Sequence, residues 1–473
     1  MHWKVTTTLI CAYGIVKEFR PATPFLTPYL VSSFKNFTDV ELYSEIYPFW
    51  TYAYLFALVP IFFLTDILRY KPIVMLEAFS LCGTWALLLW GQTLWQMQVM
   101  QIIFGISSAS EIAYFSYMYA VVDQKRYKLV TSYIRAAALV GKFFAFGLSQ
   151  FLISFEYGSY LSLNQISFGS VCTVLVIAAF LPPIPSKIIK NKIENENSGL
   201  KIYGISRKYE DETSKEEDSE EKRALDAKPL NIDYGLSAYF RAVWYHMKIF
   251  KRDRAVLKWS IWWALASCGI FQVMNYVQTL WATMQTSSDT YNGLTECANT
   301  LIGALISFVV QYINVNWIAY GEHILFVTSA VIAILLIVLS YTKMVHISYV
   351  VYIVIITIYN FLITVASSNI ATKLDSASYG LIFGWNTFSA LVLQALLTLA
   401  VADKHGFSLS IRDQKQADTA TFQFFVYGCY FVVVGLIFAA AITYKSVKYE
   451  CCRSSHRETA PVDRHISSPT SVS

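Results

Sequence analysis

The sequence predicts an all-α membrane protein of about twelve transmembrane helices, and three observations carry that prediction. Of 473 residues, 55% are hydrophobic and only 15% are charged, against about 25% charged in a soluble domain. The charge is also unevenly spread: between Asn191 and Lys228, 19 of 38 residues are charged. Finally, apolar runs of about 20 residues, the length that crosses a bilayer as a helix, recur on both sides of that polar segment. Such a chain has no water-soluble core in which to hide its apolar surface.

Runs near 5–30, 47–66, 72–91, 97–122, 129–154 and 161–181 precede the polar segment, and runs near 255–284, 290–313, 320–340, 344–370, 378–402 and 421–446 follow it. Six runs, a linker and six runs is the layout of two six-helix bundles facing each other across a cavity, as in the major facilitator superfamily. The expected division is an N-terminal bundle over 1–182, a cytoplasmic linker over 183–254, a C-terminal bundle over 255–447 and a tail over 448–473. The linker and tail are too polar to bury enough apolar surface to offset the entropy of ordering, so both are expected to be disordered. The first run ends in Lys17-Glu18-Phe19-Arg20-Pro21 without a small-residue cleavage site. It reads as a retained helix, bent at its prolines, with its charges paired internally. Arg69, Lys71, Lys125, Arg126 and Lys128 fall in alternate loops of the first half. By the positive-inside rule those loops, both termini and the linker are cytoplasmic. The sequon Asn36-Phe37-Thr38 then lies in the first external loop as a glycosylation candidate. Cys451 and Cys452 follow the last run in a basic segment and are candidates for S-palmitoylation.

Several function classes drop out. The net charge of +5 is spread over short loops and tails, which gives no basic face for nucleic acid. No His-Glu-x-x-His, G-x-S-x-G or Walker A pattern occurs, so no enzyme, cofactor or metal site is expected. The six cysteines within apolar runs read as small buried thiols.

Polar residues inside the runs carry what functional signal there is, because a charge at mid-membrane costs about 2.5–3.5 kcal/mol on insertion scales. In the fourth run Glu111, Tyr114 and Met118 share a helix face. Glu111 is either a cation site beside an aromatic ring or a structural partner of Arg135. In the fifth run Arg135 and Lys142 lie seven apart on one face, to receive an anion or to pair with neighbouring acids. Tyr47, Trp50 and Tyr54 form an aromatic stripe that suits either packing or a ligand wall. Asn275 and Gln394 are polar at mid-helix depth, where they bind ligand or bond helix to helix. Glu77, Glu296 and Glu322 lie nearer run starts and read as structural interfacial carboxylates.

Several strings resemble the reduced folate carrier family, which contains folate and thiamine transporters. They are Arg20-Pro21-x-x-Pro24-Phe25-Leu26-x-Pro28-Tyr29-Leu30, Pro48-x-Trp50-Thr51-Tyr52, Thr65-Asp66-x-x-Arg69-Tyr70-Lys71-Pro72, Tyr291-Asn292-Gly293 and Phe383-Gly384-x-Asn386-Thr387-Phe388. The resemblance covers the membrane region, excludes linker and tail, and implies a major-facilitator fold at the plasma membrane. Folate carriers of the family use a Lys in helix eleven and an Arg in helix ten for the substrate's carboxylates; here those places read Gln394 and an apolar residue at or beside Ile356. Thiamine members carry Glu-x-Ala-Tyr in helix four and Leu-Asn-Tyr-Val-Gln in helix seven. Glu111-Ile112-Ala113-Tyr114 and Met274-Asn275-Tyr276-Val277-Gln278 are similar, with Trp50 matching a pocket aromatic and Tyr47 standing where those members have Phe. Two departures stand out: Thr23 replaces the Glu of Arg-Pro-x-Glu, and Lys142 adds a cation.

The expectation is thus a secondary carrier importing a vitamin by alternating access, thiamine or a similar organic cation. The expected site is Glu111, Tyr114, Trp50, Tyr47, Asn275 and Gln394, with Arg135 beside it. Reduced folate is the alternative cargo, and a receptor-like role without transport is the third reading. If the first loop is external, Asn36→Gln will remove the endoglycosidase-sensitive mass of the protein expressed in animal cells; an unchanged digestion pattern refutes that placement.

Overall fold

The computed structural model describes residues 3–38, 41–183, 247–284, 291–313, 315–374, 379–401 and 416–458. Its long helices are α1 (Trp3–Glu18), α2 (Tyr47–Ile67), α3 (Lys71–Trp90), α4 (Leu94–Val121), α5 (Tyr127–Ser154) and α6 (Tyr160–Phe180), followed by α7 (Arg254–Met284), α8 (Asn292–Val309), α9 (Trp317–Tyr341), α10 (Val345–Ala371), α11 (Tyr379–Val401) and α12 (Gln416–Glu458). Ten of these are long and apolar enough to span a membrane; α1, of 16 residues, and α4, of 28, complete the six-plus-six arrangement. Of the linker expected over 183–254, residues 184–246 lie outside the described residues, as does the tail beyond 458, whereas its end forms a short helix at Ile249–Arg252.

Two boundaries differ from the sequence reading. The first run does not continue as one helix to residue 30. It stops at Glu18 and resumes as a short turn at Thr23–Phe25 and a helix at Leu26–Val31. Pro21, Pro24 and Pro28 cannot donate backbone hydrogen bonds, so the helix cannot run through them. Backbone groups freed by the break find partners on α6: Ala22 N–H donates to Ser167 Oγ at 3.0 Å, and Ser170 Oγ donates to the Val16 carbonyl at 2.8 Å. A break at membrane depth is tolerated only where such partners exist. At the other end of the chain, α12 runs past 447 to Glu458, since Tyr444–Glu458 contains neither Gly nor Pro to stop it. Cys451 and Cys452 ride on this extension.

The two halves repeat one packing plan. Helix pairs α1·α4, α1·α5, α1·α6, α2·α4, α3·α4 and α3·α6 recur as α7·α10, α7·α11, α7·α12, α8·α10, α9·α10 and α9·α12. The halves meet along α5·α8 and α2·α11, with α5·α10 and α4·α11 beside them, and these pairings obey the same two-fold relation. Small residues set the closest approaches, as is usual where no hydrophobic force drives helices together in lipid. A Cβ on Gly141 of α5 would strike the Ile15 carbonyl of α1, and one on Gly384 of α11 would strike Phe62 Cβ of α2.

At the end holding the α4–α5 and α8–α9 connections, the halves are sealed. Tyr127 and Tyr379 share a hydroxyl–hydroxyl hydrogen bond of 2.5 Å, Tyr119 packs edge-on against Phe383 at 5.6 Å, and Lys128 Nζ donates to the Ile313 carbonyl at 2.5 Å. At the far end, α7 leaves Met274, Asn275 and Gln278 exposed while its other faces pack on α10, α11 and α12. Asn36 of the sequon is also exposed, in a left-handed turn with φ 57°. Nearby, the Thr38 amide and hydroxyl each donate to Glu41 at 2.8 Å and hold its carboxyl below the ordinary range. This bond therefore contributes above the ordinary carboxylate pKa and is lost as pH falls through the depressed one.

Gly141→Ala should overpack the α1–α5 contact by about 1–3 kcal/mol. The expected outcome is a lower thermal midpoint for the detergent-solubilised protein; an unchanged midpoint would mean that α1 and α5 are not in backbone contact.

Candidate substrate site

The break in α1 brings three charged side chains into the interior of the first half, and neighbouring helices answer them. Lys17 Nζ lies 2.9 Å from Glu77 Oε1 of α3, 2.9 Å from Glu111 Oε1 of α4 and 3.6 Å from Glu18 Oε1. Glu18 in turn meets Arg20 at 2.7 Å and Lys142 of α5 at 3.6 Å. Tyr13 donates to the second Glu77 oxygen at 2.9 Å. Three cations thus balance three carboxylates in one connected cluster. Balance is required, because an uncompensated charge buried at this depth would cost several kcal/mol.

A cavity of about 160 Å³ opens onto this cluster. Ligand pockets usually exceed about 300 Å³, so it is the deep recess of a site and not the whole of one. A larger cavity of about 380 Å³ lies at the sealed end, between Lys128, Trp317 and Asn369, but a single charged group lines it. The chemistry sits in the smaller one. Lys17 and Glu77 are each 2% exposed, whereas Glu111 and Lys142 are 37% and 39% exposed. The two side chains open to solvent therefore carry opposite charge.

The expected site residues divide between this recess and other places. Glu111 faces the recess, but its partner is Lys17 and not Arg135, which corrects one of the two roles anticipated for it. Arg135 points across the interface instead: its Nη2 donates to Ser367 Oγ of α10 at 2.8 Å, and its guanidinium lies 5.0 Å from the Phe115 ring centroid. Tyr114 is fully buried behind Glu111, with its hydroxyl on the Ile134 carbonyl at 3.2 Å. Its ring faces Lys17 Nζ at 4.4 Å. Trp50 does not line the recess itself but stands behind Ser108, which does. Its indole N–H donates at 3.1 Å to Ser108 Oγ, one turn from Glu111, and its ring lies 5.8 Å from that of Tyr54. Tyr47 is one turn farther out and shares a 2.7 Å hydrogen bond with Thr27. Asn275 is exposed on α7 in the opposite half. Gln394 is 7% exposed inside the second half, where its backbone carbonyl accepts from Gln272 at 3.0 Å; this burial takes it away from the recess.

Glu77 also needs correction: it is no interfacial carboxylate but one of the most deeply buried acids in the cluster. Lys17 and Glu77 went unselected as site residues, although one signal was available. The runs of the first half hold Lys17, Arg20, Arg135 and Lys142 against Glu18, Asp66, Glu77 and Glu111, and equal numbers of opposite charges in lipid imply pairing. Glu322 does behave as an interfacial acid, meeting Lys258 at 3.2 Å and Lys445 at 3.4 Å. Glu296 accepts from Tyr352 at 2.8 Å and from Asn299 at 3.2 Å.

Two six-helix bundles packed by one repeated plan, with a charged recess in the first of them, describe the major-facilitator fold. In line with this, the proton:xylose symporter XylE superposes with a TM-score of 0.59 at 11% identity, covering 92% of this chain and 95% of that one. The chain belongs to the reduced folate carrier family, whose model matches residues 1–417. It is 49% identical to Folate transporter 1 of Caenorhabditis elegans, over 93% of this chain and 92% of that one. It is 40% identical to Thiamine transporter 1 of Mus musculus, over 93% and 89% respectively. It is accordingly a carrier and not an enzyme.

Removing one partner of a buried ion pair strands the other, at about 3–5 kcal/mol. Glu77→Ala should therefore lower the thermal midpoint and surface level sharply, and adding Lys17→Met should recover much of both. No recovery in the double variant would show that the two residues are not partners.

Proposed function

We propose that the protein is a plasma-membrane carrier that imports a reduced folate by alternating access, with both termini and the linker on the cytoplasmic side. The observation that carries this reading is the position of Lys17. An organic cation such as thiamine needs a carboxylate to neutralise it and an aromatic face to lie against. At Glu111 and Tyr114 the chain's own ammonium group fills that place, at 2.9 Å from the carboxylate and 4.4 Å from the ring. Lys142 is left as the most exposed cation of the cluster, and the expectation of a cationic cargo gives way to an anionic one. The C. elegans relative named as a folate transporter, at 49% identity, supports the same choice.

In this reading Lys142 of α5 receives a carboxylate of the folate tail, and Trp50 offers its ring to the flat pterin. Asn275 on α7 contributes from the opposite half. Contact with both halves gives the ligand different affinities in the two orientations, and only such a difference shifts the rocking equilibrium. Closure at the α4–α5 end makes this the orientation that loads from outside.

Thiamine remains the second reading, favoured by a specific observation: α10 and α11 carry no Lys or Arg, so the cations that folate carriers place there are missing. The mouse relative named as a thiamine transporter adds to it. Uptake of labelled reduced folate and labelled thiamine in transport-deficient cells separates the two. Folate accumulation with trans-stimulation by internal folate is expected, and Lys142→Met should raise the folate KM about tenfold or more at equal surface level. Accumulation of thiamine alone, or a Lys142→Met variant with unaltered folate KM, refutes the folate assignment.

A further inference from the structure

We propose that Lys17 is a built-in counter-cation that sets the sign of the cargo: it occupies the carboxylate-and-ring seat at Glu111 and thereby excludes organic cations. This deepens the folate reading and rests on it only for the identity of the anion carried. Lys17 has three N–H donors. Two are directed to Glu77 and Glu111 at 2.9 Å each, and its remaining surroundings are Glu18 at 3.6 Å and the faces of Tyr114 and Phe115 at 4.4 and 5.9 Å. These are the components of a cation-binding cage: carboxylates for charge, rings for the flat face. A second cation reaching Glu111 from the recess would have to share one carboxylate with an ammonium already bound, at a separation where like charges repel strongly in a low-dielectric site.

The ammonium is also anchored independently of Glu111. Glu77 and Glu18 come from α3 and α1; both also line the recess, but they are 4% exposed or less where Glu111 is 37% exposed. Lys17 therefore stays seated whatever approaches Glu111. The wider cluster is neutral overall: Lys17 is shared between Glu77 and Glu111, while Arg20 and Lys142 both serve Glu18. Removing Lys17 would leave Glu111 as an accessible carboxylate and free the Tyr114 face that Lys17 now covers, which is the composition of an organic-cation site.

The test measures labelled thiamine and labelled reduced folate uptake, normalised to surface protein, in wild type, Lys17→Met, Lys17→Arg and Lys142→Met. Lys17→Met should raise thiamine uptake at least tenfold over wild type and lower folate uptake. Lys17→Arg, which keeps the charge in the seat, and Lys142→Met, which removes a charge from elsewhere in the same cluster, should give no thiamine gain. Should Lys17→Met not reach the surface, Lys17→Met/Glu77→Gln restores charge balance by removing both members of one pair and is expected to show the same gain. A surface-expressed variant lacking Lys17 without that gain overturns the proposal, as does an equal gain in Lys142→Met. Wild-type uptake judges the folate reading separately: a wild type that moves neither folate nor thiamine refutes that reading, while the variant-to-wild-type ratio for thiamine still decides the role of Lys17; a wild type that moves thiamine overturns both.

Discussion

The burial of one ammonium group among three carboxylates is the constraint around which the first half is organised. Lys17 can sit at membrane depth only because α1 ends there, and α1 ends there because three prolines follow within the next ten residues. The break exposes backbone, which recruits Ser167 and Ser170 of α6. It also exposes charge, which recruits Glu77 of α3, Glu111 of α4 and Lys142 of α5. One interruption in one helix thus ties together five of the six helices of the bundle. The contact between Gly141 and Ile15 lies just beside it and lets α5 approach closely enough for Lys142 to reach Glu18.

How much of this was legible in the sequence depends on the scale of the feature. The apolar runs are long-range statistical features of composition, and their positions follow from the width of a bilayer, so the six-plus-six layout emerges without any contact information. The break at Pro21 was visible as a local feature, yet its extent was not, since resumption at Leu26 depends on packing against α6. Charge pairing is the hardest part. Glu111 has two cations within plausible reach, Arg135 on a neighbouring helix and Lys17 on another, and helical spacing places residues on faces without saying which faces meet. The structure resolves this through helix order in space: α1 passes between α4 and α5, and its lysine intercepts the carboxylate before Arg135 can. Gln394 illustrates the converse. Expected at mid-helix depth to bind ligand or bond helix to helix, it is buried within the second half, where its backbone carbonyl accepts from Gln272 of α7.

The substrate assignment follows the same lesson. Residue identities at Glu111, Tyr114, Trp50 and Asn275 suggest a cation pocket when each is considered alone. The structure places Lys17 against Glu111 and Tyr114, while Trp50 and Asn275 do not line the recess; the anionic cargo proposed above rests on the first of these facts. Relatives named for folate and for thiamine both align over nearly the whole chain. This is what would be expected if cargo within the family turns on a few side chains in a common cavity and not on the fold.

The pairing plan of the helices repeats between the halves, but the charges do not. The cluster of Lys17, Glu18, Arg20, Glu77, Glu111 and Lys142 lies wholly within the first half and sums to zero. Were the two bundles to rock as rigid bodies, in the alternating access proposed above, this cluster would carry no net charge through the membrane's electric field, where each elementary charge is worth about 2.3 kcal/mol per 100 mV. The cluster would thus add no voltage dependence to the return of the empty carrier, and the membrane potential would act through it only by way of the charge of what it carries.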